Sequence, residues 1–343
     1  MTSSGVQRLK VGTYLPNFAY DDDGIDHADR LRYWITHAEE VGFASIWVTD
    51  HLLRARNMYA RTWLEPLSSL AFAAAITRRV ALGPGVLLLP LRHPVLLAKE
   101  LASLQRLAAG RLILGAGTGW SPTEFEAVGA QRSERGHRTD EVLDLVRRLL
   151  AGETVTHDGR FYSARGLQIE PSPVPLPVWV GGGSQAPHPD SVEKPILNPA
   201  VARRIAGADG WFSRPSALPE QIAEDWRQLQ SYIQAAGRRP EQIVIGSGQW
   251  VHLTEEDSHA RALEIQHRMA ADILGTGRSI DLVEESYLFG TIDEVVAACK
   301  ERADAGVEHL ILHPYTDDSA QIDLWGRKLL PRLTALVVRR PAV

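Results

Sequence analysis

The sequence predicts a single (β/α)₈ barrel over residues 1–343. Three observations lead there. Short β-rich runs alternate with longer stretches of helical period from end to end; eight strand candidates can be counted; and most of them are near-continuous runs of Val, Ile, Leu, Trp and Gly. Such runs suit parallel strands covered on both faces, whereas a one-sided antiparallel sheet alternates polar with apolar. Eight strands with helices between them favour a closed ring over an open doubly wound sheet. The chain length, 343 residues, lies inside the span of about 200 to over 400 that one barrel covers.

The strands are expected at Leu9–Pro16, Ala44–His51, Val80–Pro90, Arg111–Gly117, Pro177–Gly182, Gly210–Ser213, Ile243–Leu253 and His309–Pro314. Helical period fills the intervals at Ala28–Val41, Pro66–Ile76, Pro94–Leu107, Thr139–Leu150, Pro219–Ala236, Glu256–Ile273, Ile292–Ala305 and Ser319–Val337. Gly42 and Gly110 follow two of these helices as C-caps, and Pro66 and Pro94 sit in first turns, where a missing N–H costs nothing. Two insertions break the rhythm. Residues 154–169 read as a β-hairpin turning at Asp158-Gly159, a pair suited to positive φ; it is either an ordinary surface hairpin or a lid over the barrel mouth. Residues 185–199 hold four prolines and little periodicity, so they form a long loop after the fifth strand. Both insertions are expected to shape a substrate pocket.

Composition narrows the class. Hydrophobic residues make up 44% and charged residues 23%, which excludes a disordered or fibrous chain. A formal charge of -5, from 37 basic and 42 acidic residues, gives no electrostatic reason to expect nucleic acid. Cys299 stands alone, so no internal disulfide framework or multi-cysteine zinc site is expected, and a cytoplasmic setting fits. The N-terminus lacks the basic start and apolar run of a secretory signal, and no apolar run is long enough to span a bilayer.

In a barrel of this kind chemistry sits at the C-terminal strand ends. Those ends supply few acids and much glycine and aromatic surface: Tyr14, Asp50-His51, Gly85-Val86, Gly117-Thr118-Gly119-Trp120, Gly181-Gly182-Gly183-Ser184, Trp250 and His313. Glycine lets backbone approach a flat ring and aromatic side chains offer stacking area, so a planar, phosphorylated cofactor suits the mixture better than a hydrolytic site does. Successive N–H groups of Gly181–Ser184 form a candidate anion nest, with the Ser184 hydroxyl as a further donor; a flexible turn is the plainer alternative. Asp50-His51 is the acid–histidine pair at a strand end, suited to proton transfer near neutral pH or, equally, to capping a loop. His51, His252 and His313 can converge, but no H-x-H or H-E-x-x-H spacing supports a metal, and none is expected. Trp34, Trp226 and Trp325 fall in helical patterns as core residues, and Glu124, Glu126 and Glu141 default to solvated or capping roles.

Several stretches, in order and spacing, resemble the bacterial luciferase-like superfamily of flavin- and deazaflavin-dependent oxidoreductases. They are residues 38–51 (AEEVGFASIWVTDH), Arg92-His93-Pro94 with residues 98–102, residues 109–117 (AGRLILGAG), Val180–Ser184, Gly290-Thr291 and the strand His309–Pro314. The resemblance implies a barrel mouth that binds reduced FMN or the deazaflavin coenzyme F420, with its phosphate near Gly181–Ser184. It implies a non-proline cis peptide at Gly85-Val86 under the central ring, Asp50 and His51 beside the ring, and Thr118-Gly119 at its polar edge. His51 is then the catalytic residue, and Tyr14, Trp120, Trp250 and His313 wall the substrate pocket. Members that oxidise sugar phosphates carry glutamate where this chain has Trp120, so a hydrophobic substrate is implied instead. Two reactions follow: oxygenation with O₂ and reduced FMN from a separate reductase, toward which the sequence leans, or hydride transfer from reduced F420 with His51 protonating the product. A non-catalytic flavin-binding barrel is the remaining alternative. A small-molecule substrate and a homodimer are further expectations of the resemblance.

Overall fold

A computed structural model describes residues 7–19, 27–54, 59–185, 196–275, 277 and 279–341. Its centre is a ring of parallel strands: β1 (Lys10–Tyr14), β2 (Ser45–Val48), β3 (Ala81–Pro84, resuming at Leu87–Leu88), β4 (Leu114–Gly117), β5 (Val178–Gly181), β6 (Gly210–Ser213), β7 (Val244–Val251) and β8 (His309–Pro314). The ring counts nine strand pieces because β3 is broken. Its first piece pairs with β2 and its second with β4. The break falls at Gly85-Val86, whose peptide bond is cis, as the resemblance implied. Below the break the Leu82 N–H donates to Arg111 O at 3.0 Å and the Ile113 N–H to Leu82 O at 2.8 Å, which joins β3 to the chain entering β4.

The helices cover the outside: α1 (His27–Val41), α2 (Pro66–Ile76), α3 (Pro94–Leu107), α4 (Arg135–Leu150), α5 (Pro199–Ala206), α6 (Pro219–Ala235), α7 (Ile292–Asp304) and α8 (Ser319–Leu324, continued through a π turn at Trp325–Leu329 into Leu330–Thr334). Their apolar stripes bury Trp34, Trp226 and Trp325 as expected. Gly42 and Gly110 take positive φ after α1 and α3. Two further helices, His259–Leu274 and Ile280–Ser286, lie between β7 and α7. Among the described residues no helix is long and apolar enough to cross a membrane.

Large rings fill the barrel interior, and glycines make the room. Trp47, Trp179 and Phe212 pack together, with the two indole centroids 5.2 Å apart. A Cβ on Gly210 would meet the Trp179 ring at 2.5 Å, and one on Gly246 would meet it at 2.6 Å. The glycines that make these strands look weak by propensity are therefore packing requirements.

Three expectations need correction. The hairpin strands are Val155–Asp158 and Ser163–Leu167, but a four-residue loop joins them, and Gly159 has no positive φ. Gly159 is there for space: a Cβ would fall 2.1 Å from Glu141 Oε1, the carboxylate that accepts from the Phe161 and Tyr162 N–H groups. That makes Glu141 a cap, within the roles foreseen. The hairpin packs on α4 and lines no part of the strand-end cavity, so it is neither a lid nor a pocket wall. Of the loop 185–199, residues 186–195 lie outside the described residues; its neck closes by mutual bonds between Gln185 and Ile196, and its last residue already starts α5. That eight-residue helix, capped by Asn198 on the Ala200 N–H at 2.8 Å, is too short for its period to stand out.

Candidate active site

All eight strands end on one cavity of about 440 Å³. Tyr14 comes from β1, Thr49–His51 follow β2, Gly85 and Val86 lie in the break of β3, and Gly117–Trp120 end β4. Gly181–Gly183 end β5, Phe212–Ser216 end β6, Trp250 belongs to β7 and His313 to β8. The ring thus brings together the expected residues from eight separate parts of the sequence, with the exception of Ser184.

At the centre of one wall His51 is held by Glu124. His51 Nδ1 donates to Glu124 Oε1 at 3.2 Å, and the same oxygen accepts from the Leu52 N–H at 2.7 Å and the Leu53 N–H at 3.2 Å. Glu124 is only 1% exposed. Burial opposes its ionisation, but the His51 ring and the two N–H groups outweigh burial and hold the carboxyl below its usual range. It belongs to the short helix Pro122–Ala127, where its position in the first turn reads from sequence as an ordinary helix acid. Glu124 is therefore not solvated; it caps the Leu52 and Leu53 N–H groups, within the roles foreseen, and its bond to His51 is what sequence did not anticipate. Tyr59, Trp63 and Trp120 surround the imidazole, with ring centroids 5.3, 5.4 and 5.6 Å away.

Asp50 does a different job from its neighbour. Arg92 Nη2 donates to both Asp50 oxygens at 3.2 Å, and the Leu88 N–H donates to Oδ2 at 2.8 Å, so the carboxylate clamps the end of β2 to the second piece of β3. Burial pushes the Asp50 carboxyl up against the pull of Arg92 and that N–H. Arg92 also donates to Glu65 at 3.3 Å.

The lining of the cavity is largely apolar. Tyr14 Oη donates to Gly85 O at 2.7 Å, and Val86 fills the space where a Cβ on Gly117 would lie 2.2 Å from Cγ2 and one on Gly181 2.9 Å from Cγ1. The His313 ring is sandwiched between Tyr14, at 4.2 Å, and Trp250, at 3.4 Å between centroids, while its Nε2 meets Thr49 Oγ1 at 3.0 Å. Burial drives His313, and likewise His309 at the far end of β8, down to about 3. Both rings are therefore expected to stay neutral through pH 5 in ¹⁵N NMR of the imidazoles; a signal titrating near the ordinary 6.5 would contradict their burial. Because unfolded imidazoles take up protons near 6.5, each ring contributes stability that is complete above that pH and lost as pH falls toward the folded value. His252 lies outside the cavity wall, close to Gln321, so His51, His252 and His313 do not converge.

Part of the expected anion nest has partners within the protein. The Gly182 N–H donates to Phe212 O at 3.1 Å, and the Ser184 N–H donates to Asp225 Oδ2 at 2.8 Å. The Ser184 hydroxyl also bonds the Asp225 carboxylate, and Ser184 is buried away from the cavity wall. A carboxylate from α6 thus engages Ser184, while Gly181–Gly183 stay on the cavity wall. Sequence reasoning also missed Tyr59, Arg214 and Tyr287 on the wall. The only signal for Arg214 is a lone cation directly after the sixth strand.

The model of the luciferase-like monooxygenase family matches residues 9–309. The chain belongs to that family. It is a luciferase-like oxidoreductase. An F420-dependent glucose-6-phosphate dehydrogenase of Beutenbergia cavernae is 31% identical over 333 residues, covering 90% of this chain and 94% of the relative. Among solved structures, an F420-dependent secondary alcohol dehydrogenase with an F420–acetone adduct superposes with a TM-score of 0.77 at 17% identity, covering 95% of this chain and 99% of the other. The monooxygenase RslO1 of Streptomyces bottropensis superposes with 0.75 at 25% identity, covering 94% and 99%.

Proposed function

We propose that this protein is an F420-dependent oxidoreductase that exchanges hydride with the carbinol or carbonyl carbon of a small, uncharged, largely apolar alcohol or ketone. The observation that carries this reading is the buried His51–Glu124 pair on an otherwise aromatic and glycine-rich wall. Interconverting an alcohol and a ketone moves one proton with each hydride, and His51 offers an imidazole with its second nitrogen committed to Glu124, whereas both nitrogens of His313 are engaged.

The residues present fit a planar cofactor: Gly117 and Gly181 lie flush beside Val86, and Ser213 Oγ and Arg214 Nε are buried without partners near the same cavity. Bound deazaflavin supplies a two-electron hydride carrier. The protein does the rest. Glu124 accepts from Nδ1, so the imidazole exchanges its proton through Nε2, and the carboxylate stabilises the ring while it is charged. Trp120, Tyr59 and Trp250 exclude water and present apolar surface to the substrate. By the resemblance, Trp120 stands where members that oxidise sugar phosphates carry glutamate, which supports an apolar substrate here.

This reading reverses the lean of the sequence toward oxygenation, on the weight of the full-length F420-dependent relative and the His51–Glu124 pair. The likeness to RslO1 favours the second reading, oxygenation with reduced FMN supplied by a separate reductase. An anaerobic assay separates them: alcohol-dependent bleaching of oxidised F420 is expected. No bleaching with any secondary alcohol, together with substrate-dependent O₂ consumption with reduced FMN, would overturn the first reading. In the same assay Glu124→Gln, which keeps the shape and removes the charge, is expected to lower kcat by about 10- to 100-fold while cofactor affinity changes less than about twofold. Equal loss of both would mean that Glu124 only holds the loop.

A further inference from the structure

A strip of arginines joins the ends of β4 and β5 on the outside of the cavity mouth. The Trp120 carbonyl, on the cavity wall, accepts from Arg132 Nε at 2.8 Å, and the Arg132 carbonyl accepts from Arg135 Nη1 at 3.0 Å. Arg204 of α5 donates through Nη2 to the Gly136 carbonyl at 3.0 Å. One turn earlier on α5, Val201 packs against the turn after β5: a Cβ on Gly182 would lie 2.6 Å from Val201 Cγ1. The strip therefore meets the cavity wall at both ends, at Trp120 and at Gly182.

Its charge is only partly compensated. Glu134 is shared by Arg138 and Arg160, and Asp140 holds Arg204. Among the described residues Arg132 and Arg135 have carbonyl partners alone, so two positive charges stand together without a carboxylate. Burial, and then the charges of Arg132 and Arg204, push the Arg135 guanidinium below its usual value. Fold stability argues against this placement, because Arg135 opens α4, where a cation opposes the helix dipole. Guanidinium groups without acid partners at the edge of a cofactor cavity suit a ligand that brings carboxylates of its own. F420 has such a part and FMN does not: beyond its phosphate, F420 carries a flexible chain of linked glutamates. We propose that Arg132 and Arg135, flanked by Arg204, form a docking strip for the oligoglutamate tail of F420. The inference rests on the cofactor reading above and deepens it, since the ring platform suits both cofactors and the strip favours one.

The test is fluorescence titration of the full chain with F420 bearing several glutamates and with its glutamate-free phospholactyl parent, at low and at high salt. Wild-type protein is expected to bind the tailed form about fivefold or more tighter at low salt, with the advantage shrinking as salt screens the strip. The double variant Arg132→Gln, Arg135→Gln should remove most of that advantage while binding of the parent changes by less than about twofold, and Arg135→Glu should reverse it. Equal weakening of both forms would assign the arginines to holding the Trp120 segment and overturn the proposal. Equal wild-type affinity for both forms at low salt would overturn it as well, because the tail would then lie free in solvent. If wild-type protein binds neither form, the cofactor reading itself fails, an outcome distinct from a tail advantage that the arginines do not move, which overturns the docking strip alone.

Discussion

Replacing His51 with alanine is expected to lower turnover by about 10²- to 10⁴-fold, the usual worth of a positioned acid–base group, while cofactor affinity stays within about threefold. The imidazole meets the cavity between Tyr59 and Trp120, and the lining at Gly85 and Val86 is built by other residues, so on the proposed reading the cofactor surface survives its loss. Alanine also strips Glu124 of one donor, although the Leu52 and Leu53 N–H groups remain, and a stability loss of about 1–3 kcal/mol should accompany it. Asparagine separates the two effects. It can donate to Glu124 much as Nδ1 does but cannot exchange a proton, so His51→Asn should recover stability and not kcat. Turnover retained by either variant would show that catalysis does not use His51 as its acid–base group.

Gly115→Ala should be the most damaging single-methyl change in the barrel, costing about 3 kcal/mol or more. A Cβ at this position would lie 2.0 Å from Pro84 O and 3.2 Å from its carbonyl carbon, so β3 and β4 would have to part. Neither contact is the end of a flexible side chain that can swing away. Gly166 provides the comparison. It has φ 61, but nothing lies within 4 Å of an added Cβ, so alanine there should cost only the left-handed backbone penalty of about 1–2 kcal/mol. Thermal melts of the two variants beside the parent check the order, and a Gly115→Ala protein as stable as Gly166→Ala would show that the two strands can yield.

Much of the barrel is legible in the sequence because its borders carry local chemistry. The strands Gly210–Ser213 and His309–Pro314 and the helices Pro66–Ile76 and Pro94–Leu107 match to the residue, the helices because proline opens each of them. The expected Val80–Pro90 strand is instead two pieces, since an apolar run carries no mark of the cis bond at Gly85-Val86; only the family resemblance supplied it. Asp158-Gly159 misled for a related reason. Glycine there answers to the Glu141 carboxylate across space, and turn statistics register only φ.

The site divides in the same way. Residues at strand ends could be found because the barrel fixes where strand ends go. Glu124 could not, because it reaches His51 across 73 residues from a position that looks like a helix acid. The bond from Ser184 to Asp225 could not be read either, because that carboxylate comes from α6, three elements after β5.

The most direct test of the central claim is a crystal structure of the protein soaked anaerobically with F420. The account predicts the tricyclic ring over Gly85 and Val86, within reach of His51. A ring bound outside the strand-end cavity, or no cofactor density at saturating concentration, would contradict it.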